Sequence, residues 1–102
     1  MKVQWSSTSI SDLESIREYI AKDNPKAARK IAKKIKDGIN RLSKFPLSGR
    51  TGRVPETREL VIPGTSYIAA YSIKDGELLI AAILHGRQDW PESFPDLTDS
   101  TL

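Results

Sequence analysis

The hydrophobic positions in the first half of the chain predict one short strand followed by two helices. Apolar and polar residues alternate over residues 2–5, which indicates a strand. The serines over residues 6–9 and the capping-box spacing of Ser11 and Glu14 then predict the start of a first helix. This helix should end near Asp23, and its apolar residues recur every three or four positions: Ile10, Leu13, Ile16, Tyr19 and Ile20.

A second helix is predicted from Pro25 to about Lys44. Asn24 can cap its first turn, and Pro25 suits the first helical position, where a backbone N–H is not required. Its apolar stripe lies opposite most of the lysines and consists of Ala28, Ile31, Ala32, Ile35, Ile39 and Leu42. Because both helices carry an apolar stripe, we expect them to pair as a helical hairpin.

The second half of the chain predicts a loop and three strands. Residues 45–55 contain two prolines and two glycines, which indicate a loop. Extended patterns follow over residues 57–62, 67–73 and 77–84, and Asp75-Gly76 supplies the positive φ of a tight hairpin turn between the last two. The last strand is almost entirely apolar, so both of its faces should be covered.

The predicted order β-α-α-β-β-β is that of an α+β domain. The helical hairpin would pack on one face of a small antiparallel sheet, with the N-terminal strand beside the last strand. A length of 102 residues fits one domain. We expect this domain to span residues 1–94, and a flexible acidic tail to occupy residues 95–102.

Charge is distributed unevenly along the chain. Residues 24–53 hold ten Lys or Arg and one Asp, a net charge of +9, whereas the remaining residues sum to −6. This asymmetry predicts a basic face that meets a polyanion or an acidic protein, although an ordinary solvated helix face gives the same pattern.

The composition also excludes several kinds of protein. Cysteine is absent and no apolar run has the length of a signal peptide or membrane span, so we expect a cytoplasmic protein without membrane contact. One histidine without cysteine does not make a metal site, and no nucleotide-binding loop occurs, so no cofactor is expected.

Three strings in the second half of the chain are similar to those of a known family. They cover residues 50–60, 67–71 and 83–91 and read RTGRVPETREL, YIAAY and ILHGRQDWP. Upstream pairs of residues fit the same pattern: Asp12-Leu13, Tyr19-Ile20, Asn24-Pro25, Ala27-Ala28, Phe45-Pro46 and Gly49-Arg50. In this order, over about residues 3–94, they resemble the RelE/ParE superfamily of toxins from type II toxin–antitoxin systems.

The resemblance implies a cytoplasmic toxin that arrests growth unless an antitoxin from an adjacent gene binds it, in a pair that can serve plasmid stabilisation. Members of the superfamily act in one of two ways. RelE-like members cut mRNA on the ribosome. ParE-like members inhibit DNA gyrase through a protein–protein contact and need no known catalytic residues.

The central strands favour the ParE-like branch. The nuclease pattern has an arginine straight after an aromatic residue, but Ile68 follows Tyr67 here. The Lys-x-Lys pair of RelE falls on Glu59 and Val61 and is also absent. Because a branched apolar side chain cannot hold a phosphate, we predict a gyrase inhibitor that is not an enzyme.

Two alternatives stay open at this point. The first is a ribosome-dependent mRNA endonuclease that uses Arg58, His85 and Arg87, since the lone histidine can exchange protons near neutral pH. In the competing interpretation, His85 caps its strand or contacts the antitoxin, while Arg58 and Glu59 form an ordinary surface pair. The second alternative is a toxin that has lost its activity and only binds antitoxin.

Two further sets of residues are candidates for binding. We expect the target to contact cations of the loop and exposed aromatics of the C-terminal segment, namely Arg50, Arg53, Trp90 and Phe94. The two aromatics could instead fix that segment to the sheet. The antitoxin candidates are Tyr19, Lys30, Lys33, Lys34, Tyr67 and Tyr71. Tyr67 and Tyr71 share one face of their strand, where they can pack in the core or at an interface.

Overall fold

Two helices cover one face of a five-stranded sheet in the computed structural model, which describes residues 1–94 and Leu97. The chain begins with β1 (Lys2–Trp5), α1 (Ser7–Ala21), α2 (Pro25–Asn40) and a 3-10 turn (Arg41–Ser43). The remaining strands are β2 (Arg50–Thr51), β3 (Arg58–Val61), β4 (Tyr67–Lys74) and β5 (Glu77–His85). The predicted α+β fold is confirmed. The predicted tail 95–102 lies outside the described residues, apart from Leu97.

The strands follow the order β1-β5-β4-β3-β2 across the sheet. As predicted, β1 lies beside β5, but it runs parallel to β5, whereas the other neighbours are antiparallel. The antiparallel arrangement is confirmed for β3, β4 and β5, whereas the direction of β1 was left open by the sequence. Alternation of apolar residues reveals a strand without its direction, so only the path of the chain through both helices decides it.

The helix starts illustrate how capping works in this chain. Asn24 caps α2 as predicted, since its side-chain oxygen accepts the Ala27 N–H at 3.0 Å. In α1 the cap is Ser6, whose Oγ accepts the Ser9 N–H at 3.0 Å and donates to the Ala81 carbonyl at 2.9 Å. The helix therefore begins before Ser11, because Ser6 joins it to β5 at the same time.

Ser6, the cap of α1, and Asp12 within that helix continue the hydrogen bonding along β5 beyond the end of β1. The Ser6 N–H donates to the Ile80 carbonyl at 3.0 Å, and the Ile83 N–H donates to Asp12 Oδ2 at 2.9 Å. Burial raises the pKa of Asp12, and the hydrogen bond from Ile83 offsets this only in part. Helix and strand are thus joined by polar contacts as well as by apolar packing.

Strand β5 contains a bulge and carries apolar side chains on both faces of the sheet. Ala70 pairs with Ala82 and Tyr71 with Ile80, which leaves Ala81 as the extra residue. On the helix side, a buried cluster comprises Ile35, Ile39, Leu42, Ile62, Ala69, Tyr71, Leu78, Ile80 and Ile83. On the other side, a smaller cluster comprises Val54, Ala70, Ala81, Ala82, Leu84 and Phe94. The prediction that both faces of the last strand are covered is confirmed.

Two local features of the second half differ in how well they were predicted. Asp75 and Gly76 have φ values of 53° and 78°, as the predicted two-residue hairpin turn requires. In contrast, the predicted loop 45–55 contains β2, a strand too short to leave a periodic pattern. In the described part of the chain, no helix combines the length and apolar character needed to cross a membrane.

Candidate functional site

Arg50, Arg53 and Glu59 form an ion cluster, here called the arginine clamp, on the sheet face opposite the helices. The Glu59 side chain is only 2% exposed, whereas those of Arg50 and Arg53 are 56% and 43% exposed. Glu59 Oε1 accepts from Arg50 Nη2 at 3.0 Å, and Oε2 accepts the Arg53 backbone N–H at 2.7 Å and Arg53 Nε at 3.2 Å. The clamp exists because β2 sets Arg50 directly opposite Glu59 in the sheet.

The electrostatics of the clamp keep Glu59 ionised. Burial alone would raise the pKa of Glu59, but hydrogen bonds from Arg53 and Arg50 outweigh it and lower the pKa below its ordinary value. A carboxylate in this state is a poor proton donor near neutral pH. Its oxygens are also occupied by arginine donors, so the arrangement suits the positioning of two cations better than acid–base chemistry.

Arg53 also stacks on Trp90, which links the clamp to the C-terminal segment. The Arg53 guanidinium carbon lies 3.7 Å from the centroid of the indole ring, a cation–π contact. The indole Nε1 is buried and has no hydrogen-bond partner among residues 1–94 and Leu97. Phe94, four residues further on, is 4% exposed and packs in the smaller cluster with Val54 and Ala70. The expectation of an exposed Phe94 is therefore wrong, because its ring fixes the segment to the sheet.

Three of the four predicted target-contact residues thus come together. Arg50, Arg53 and Trp90 form one half-exposed surface, and Phe94 lies beneath it in the core. The competing interpretation, in which Glu59 forms an ordinary surface pair with Arg58, is wrong, because Glu59 is buried and binds Arg50 and Arg53. The signal that could have found the clamp is the register of β2 on β3, which a two-residue strand does not reveal.

The predicted nuclease residues do not converge. His85 lies opposite Tyr67 at one end of the β4–β5 pair, whereas Arg58 lies opposite Tyr71, four residues away on β4. At about 3.3 Å per residue, this separates the two positions by about 13 Å along the strands. Arg58 instead donates from Nη1 to the Gly49 carbonyl at 2.8 Å and so fastens the loop before β2.

His85 and Arg87 remain neighbours at the end of β5. His85 Nδ1 accepts the Arg87 backbone N–H at 3.1 Å, which agrees with the interpretation that the imidazole caps its strand. The ring also meets Tyr67 edge-on, with centroids 5.6 Å apart and planes at 86°. The Arg87 side chain is exposed beside this pair. The contact leaves a small aromatic surface at this end of the sheet.

The position that the nuclease pattern reserves for a cation is apolar and buried. Ile68 is 6% exposed and lies between its cross-strand neighbours Val61 and Leu84. Three aliphatic side chains in a row across the sheet give a phosphate neither charge nor hydrogen-bond donors.

The antitoxin candidates are spread over the surface, with one exception. Tyr19 is 72% exposed at the end of α1. Burial raises the pKa of Tyr67, and the nearby Tyr19 raises it further. Tyr71 is fully buried: its hydroxyl donates to the Pro46 carbonyl at 2.8 Å and accepts the Gly49 N–H at 2.9 Å. The prediction that Tyr71 contacts a partner is therefore wrong, because no part of it reaches the surface. Three candidates belong to α2, where the first two are exposed and the third is half-buried: Lys30, Lys33 and Lys34.

Comparisons with known proteins agree with this fold. The model of a family described as the ParE toxin of type II toxin–antitoxin system, parDE, matches residues 3–90. "Putative toxin Y4kP" of Sinorhizobium fredii is 37% identical over 92 residues, covering 89% of this chain and 94% of its own length. "Toxin RelE2" of Caulobacter vibrioides is 31% identical over 84 residues, covering 82% and 93%.

A solved structure shows the same architecture. A chain of the chromosomal ParDE TA system from P. aeruginosa superposes with a TM-score of 0.76 at 25% sequence identity, covering 83% of this chain and 95% of that one. Together with the matches in sequence, this defines the class: a small α+β toxin with its helical hairpin on a mixed sheet. The chain belongs to the ParE toxin family of type II toxin–antitoxin systems, and an antitoxin is the partner that this membership implies.

Proposed function

We propose that the chain inhibits DNA gyrase in the cytoplasm through a protein–protein contact and performs no chemistry of its own. The observation that carries this proposal is the buried side chain of Ile68, which occupies the place of the nuclease cation between the aliphatic side chains of Val61 and Leu84. The buried carboxylate Glu59 supports it as well, because two arginines already bind its oxygens. Growth arrest by such a contact is also what a role in plasmid stabilisation would require.

We assign the target contact to the arginine clamp together with Trp90. Arginine and tryptophan are the residue types that most often dominate interface energies. Here the carboxylate of Glu59 holds both guanidinium groups in place before any partner arrives, so less side-chain entropy is lost on binding. The outward N–H groups of Arg50 and Arg53 can then donate to carbonyl or carboxylate groups of the partner.

The test measures supercoiling by purified gyrase in the presence of the full-length chain. The wild-type protein should inhibit supercoiling, and Arg53→Gln should raise the concentration for half-inhibition by about tenfold or more, the effect of losing one interface anchor. Lys2→Gln, which also removes one positive charge but at an exposed site on β1, should leave the concentration for half-inhibition unchanged. Unimpaired supercoiling with wild-type protein would refute the proposal.

A second candidate function is cleavage of mRNA on the ribosome, and two observations favour it. One relative is named as a RelE toxin. In addition, His85 touches Tyr67 with the exposed Arg87 beside it, which brings a titratable group and a cation to one end of the sheet. The same protein is therefore added to programmed ribosomes. Cut mRNA with the wild-type chain and intact mRNA with His85→Ala would replace the gyrase proposal by this one.

Induction of the gene without its antitoxin separates both of these functions from the remaining alternative, a toxin that has lost its activity and only binds antitoxin. A DNA-damage response with filamentation is expected for gyrase inhibition, whereas rapid loss of protein synthesis is expected for the nuclease. Normal growth at a verified level of folded protein would mean that only antitoxin binding remains.

A further inference from the structure

The outward side of α2 is a continuous basic surface. Its exposed side chains include five cations, Lys26, Arg29, Lys30, Lys33 and Lys36. The acidic residue on this side, Asp37, is already bound by Lys33 at 2.8 Å. Within residues 1–94 and Leu97, Arg29 and Lys36 make no salt bridge. Uncompensated charge of this density raises the local concentration of anions.

The cations continue into a shallow groove between the two helices. Arg29, Lys33 and Lys36 are spaced four and three residues apart, so they form one row on α2, about 10 Å long at 1.5 Å per residue. Arg17 of α1 lines the opposite side, and Ala32 is the one apolar residue among those lining the groove. The Arg17 contact with Glu14 is long, at 3.5 Å, and both side chains are about half exposed.

This chemistry favours a phosphate backbone over an acidic protein. A protein helix docking in a groove needs apolar or aromatic anchors, and such side chains are missing from this one. A neighbouring groove, which shares Lys36 and Asn40 with this one, does offer them, because it is lined by Trp5, Ile10 and Leu13. Phosphodiester backbones need only closely spaced cations, since binding is driven by release of counterions.

We propose that the outward face of α2, with Arg17, binds the backbone of double-stranded nucleic acid without sequence preference. The surface lies on the helix side of the molecule, whereas the arginine clamp lies on the opposite face of the sheet. The proposal is therefore independent of whether gyrase is the target. With about four phosphates contacted, the logarithm of the association constant should fall with the logarithm of salt concentration with a slope of about −3.6.

The experiment measures binding of the full-length chain to a fluorescent 30-base-pair DNA of arbitrary sequence between 50 and 300 mM salt. Arg29→Gln/Lys36→Gln removes two unpaired cations and keeps helix propensity nearly unchanged. Losing two phosphate contacts should reduce the slope by about 1.8 and weaken binding about 60-fold at 0.1 M salt. Lys2→Gln/Lys44→Gln makes the same change of net charge at exposed sites outside α2 and should lose less than about threefold.

Three outcomes would overturn the proposal. They are the absence of salt-dependent binding by the wild-type chain, equal losses in both double variants, and a loss of antitoxin binding in Arg29→Gln/Lys36→Gln without a loss of DNA binding. The last outcome would assign the surface to an acidic protein. A duplex RNA of the same length is measured alongside the DNA. Binding of either duplex that depends on Arg29 and Lys36 supports the proposal. The duplex that binds more tightly, DNA or RNA, identifies the natural ligand.

Discussion

Replacing Glu59 by glutamine removes the negative charge from the centre of the arginine clamp and leaves the side-chain volume almost unchanged. Glu59 Oε1 accepts three hydrogen bonds, from Nε and Nη2 of Arg50 and from Nη2 of Arg53. In glutamine, one oxygen becomes an NH2 group that faces these donors. Each hydrogen bond to a charged group contributes about 1.5–3 kcal/mol. Because both arginines are about half exposed, water recovers part of the loss.

We therefore expect Glu59→Gln to lower the free energy of unfolding by about 2–3 kcal/mol at pH 7. For a domain of this size, such a loss corresponds to a decrease in Tm of about 10–20 °C. Urea denaturation followed by circular dichroism measures the first quantity, and a thermal melt measures the second. Glu18→Gln is the matched control, because this exposed glutamate on α1 should change stability by less than about 0.5 kcal/mol.

The pH dependence of the free energy of unfolding provides an independent check that the charge of Glu59 causes this stabilisation. The pKa of Glu59 in the folded protein is below its ordinary value of 4.5, so the stabilisation is fully present above pH 4.5. It is lost as the pH falls through the lower, folded-state pKa, where the carboxylate becomes protonated. Wild type and Glu59→Gln should thus converge in strongly acidic solution. A constant gap down to the acid limit, or a difference below about 0.5 kcal/mol at pH 7, would contradict the assigned role of the charge.

Three further predictions concern the framework of the fold, each measured by urea denaturation. Burial raises the folded-state pKa of Asp12, so its ionisation opposes folding at pH above that value. Asp12→Asn, which can still accept the Ile83 N–H, should therefore be neutral or stabilising at pH 7, whereas Asp12→Ala should cost about 1–3 kcal/mol. Tyr71→Phe removes a buried hydroxyl with two hydrogen bonds and should lower the free energy of unfolding by about 1–3 kcal/mol. An unchanged urea midpoint would show that water replaces the hydroxyl. Gly76→Ala introduces a side chain at a φ of 78° and should lower the free energy of unfolding by about 1 kcal/mol. An unchanged free energy of unfolding would show that the turn rearranges.

Local interactions within a few residues were readable directly from the sequence. Asn24 caps the helix that begins at Pro25, because the donor it satisfies is only three residues away. Asp75-Gly76 encodes its hairpin turn for the same reason, since backbone preference at two positions fixes the geometry. The apolar stripe of α2 and the apolar run of β5 similarly predicted which faces are buried, whereas two residues of the α1 stripe, Ile10 and Tyr19, are exposed.

Only the tertiary structure decided which distant residues meet. Glu59 is buried and binds two arginines because β2 pairs with β3, and a strand of two residues leaves no periodic signal. Tyr71 reaches a loop 22 residues earlier in the chain, and Asp12 reaches a strand 71 residues later. Periodicity reports the environment of a side chain but not the identity of its neighbours. Those neighbours follow from strand register and helix docking, which depend on the energy of the whole packed core.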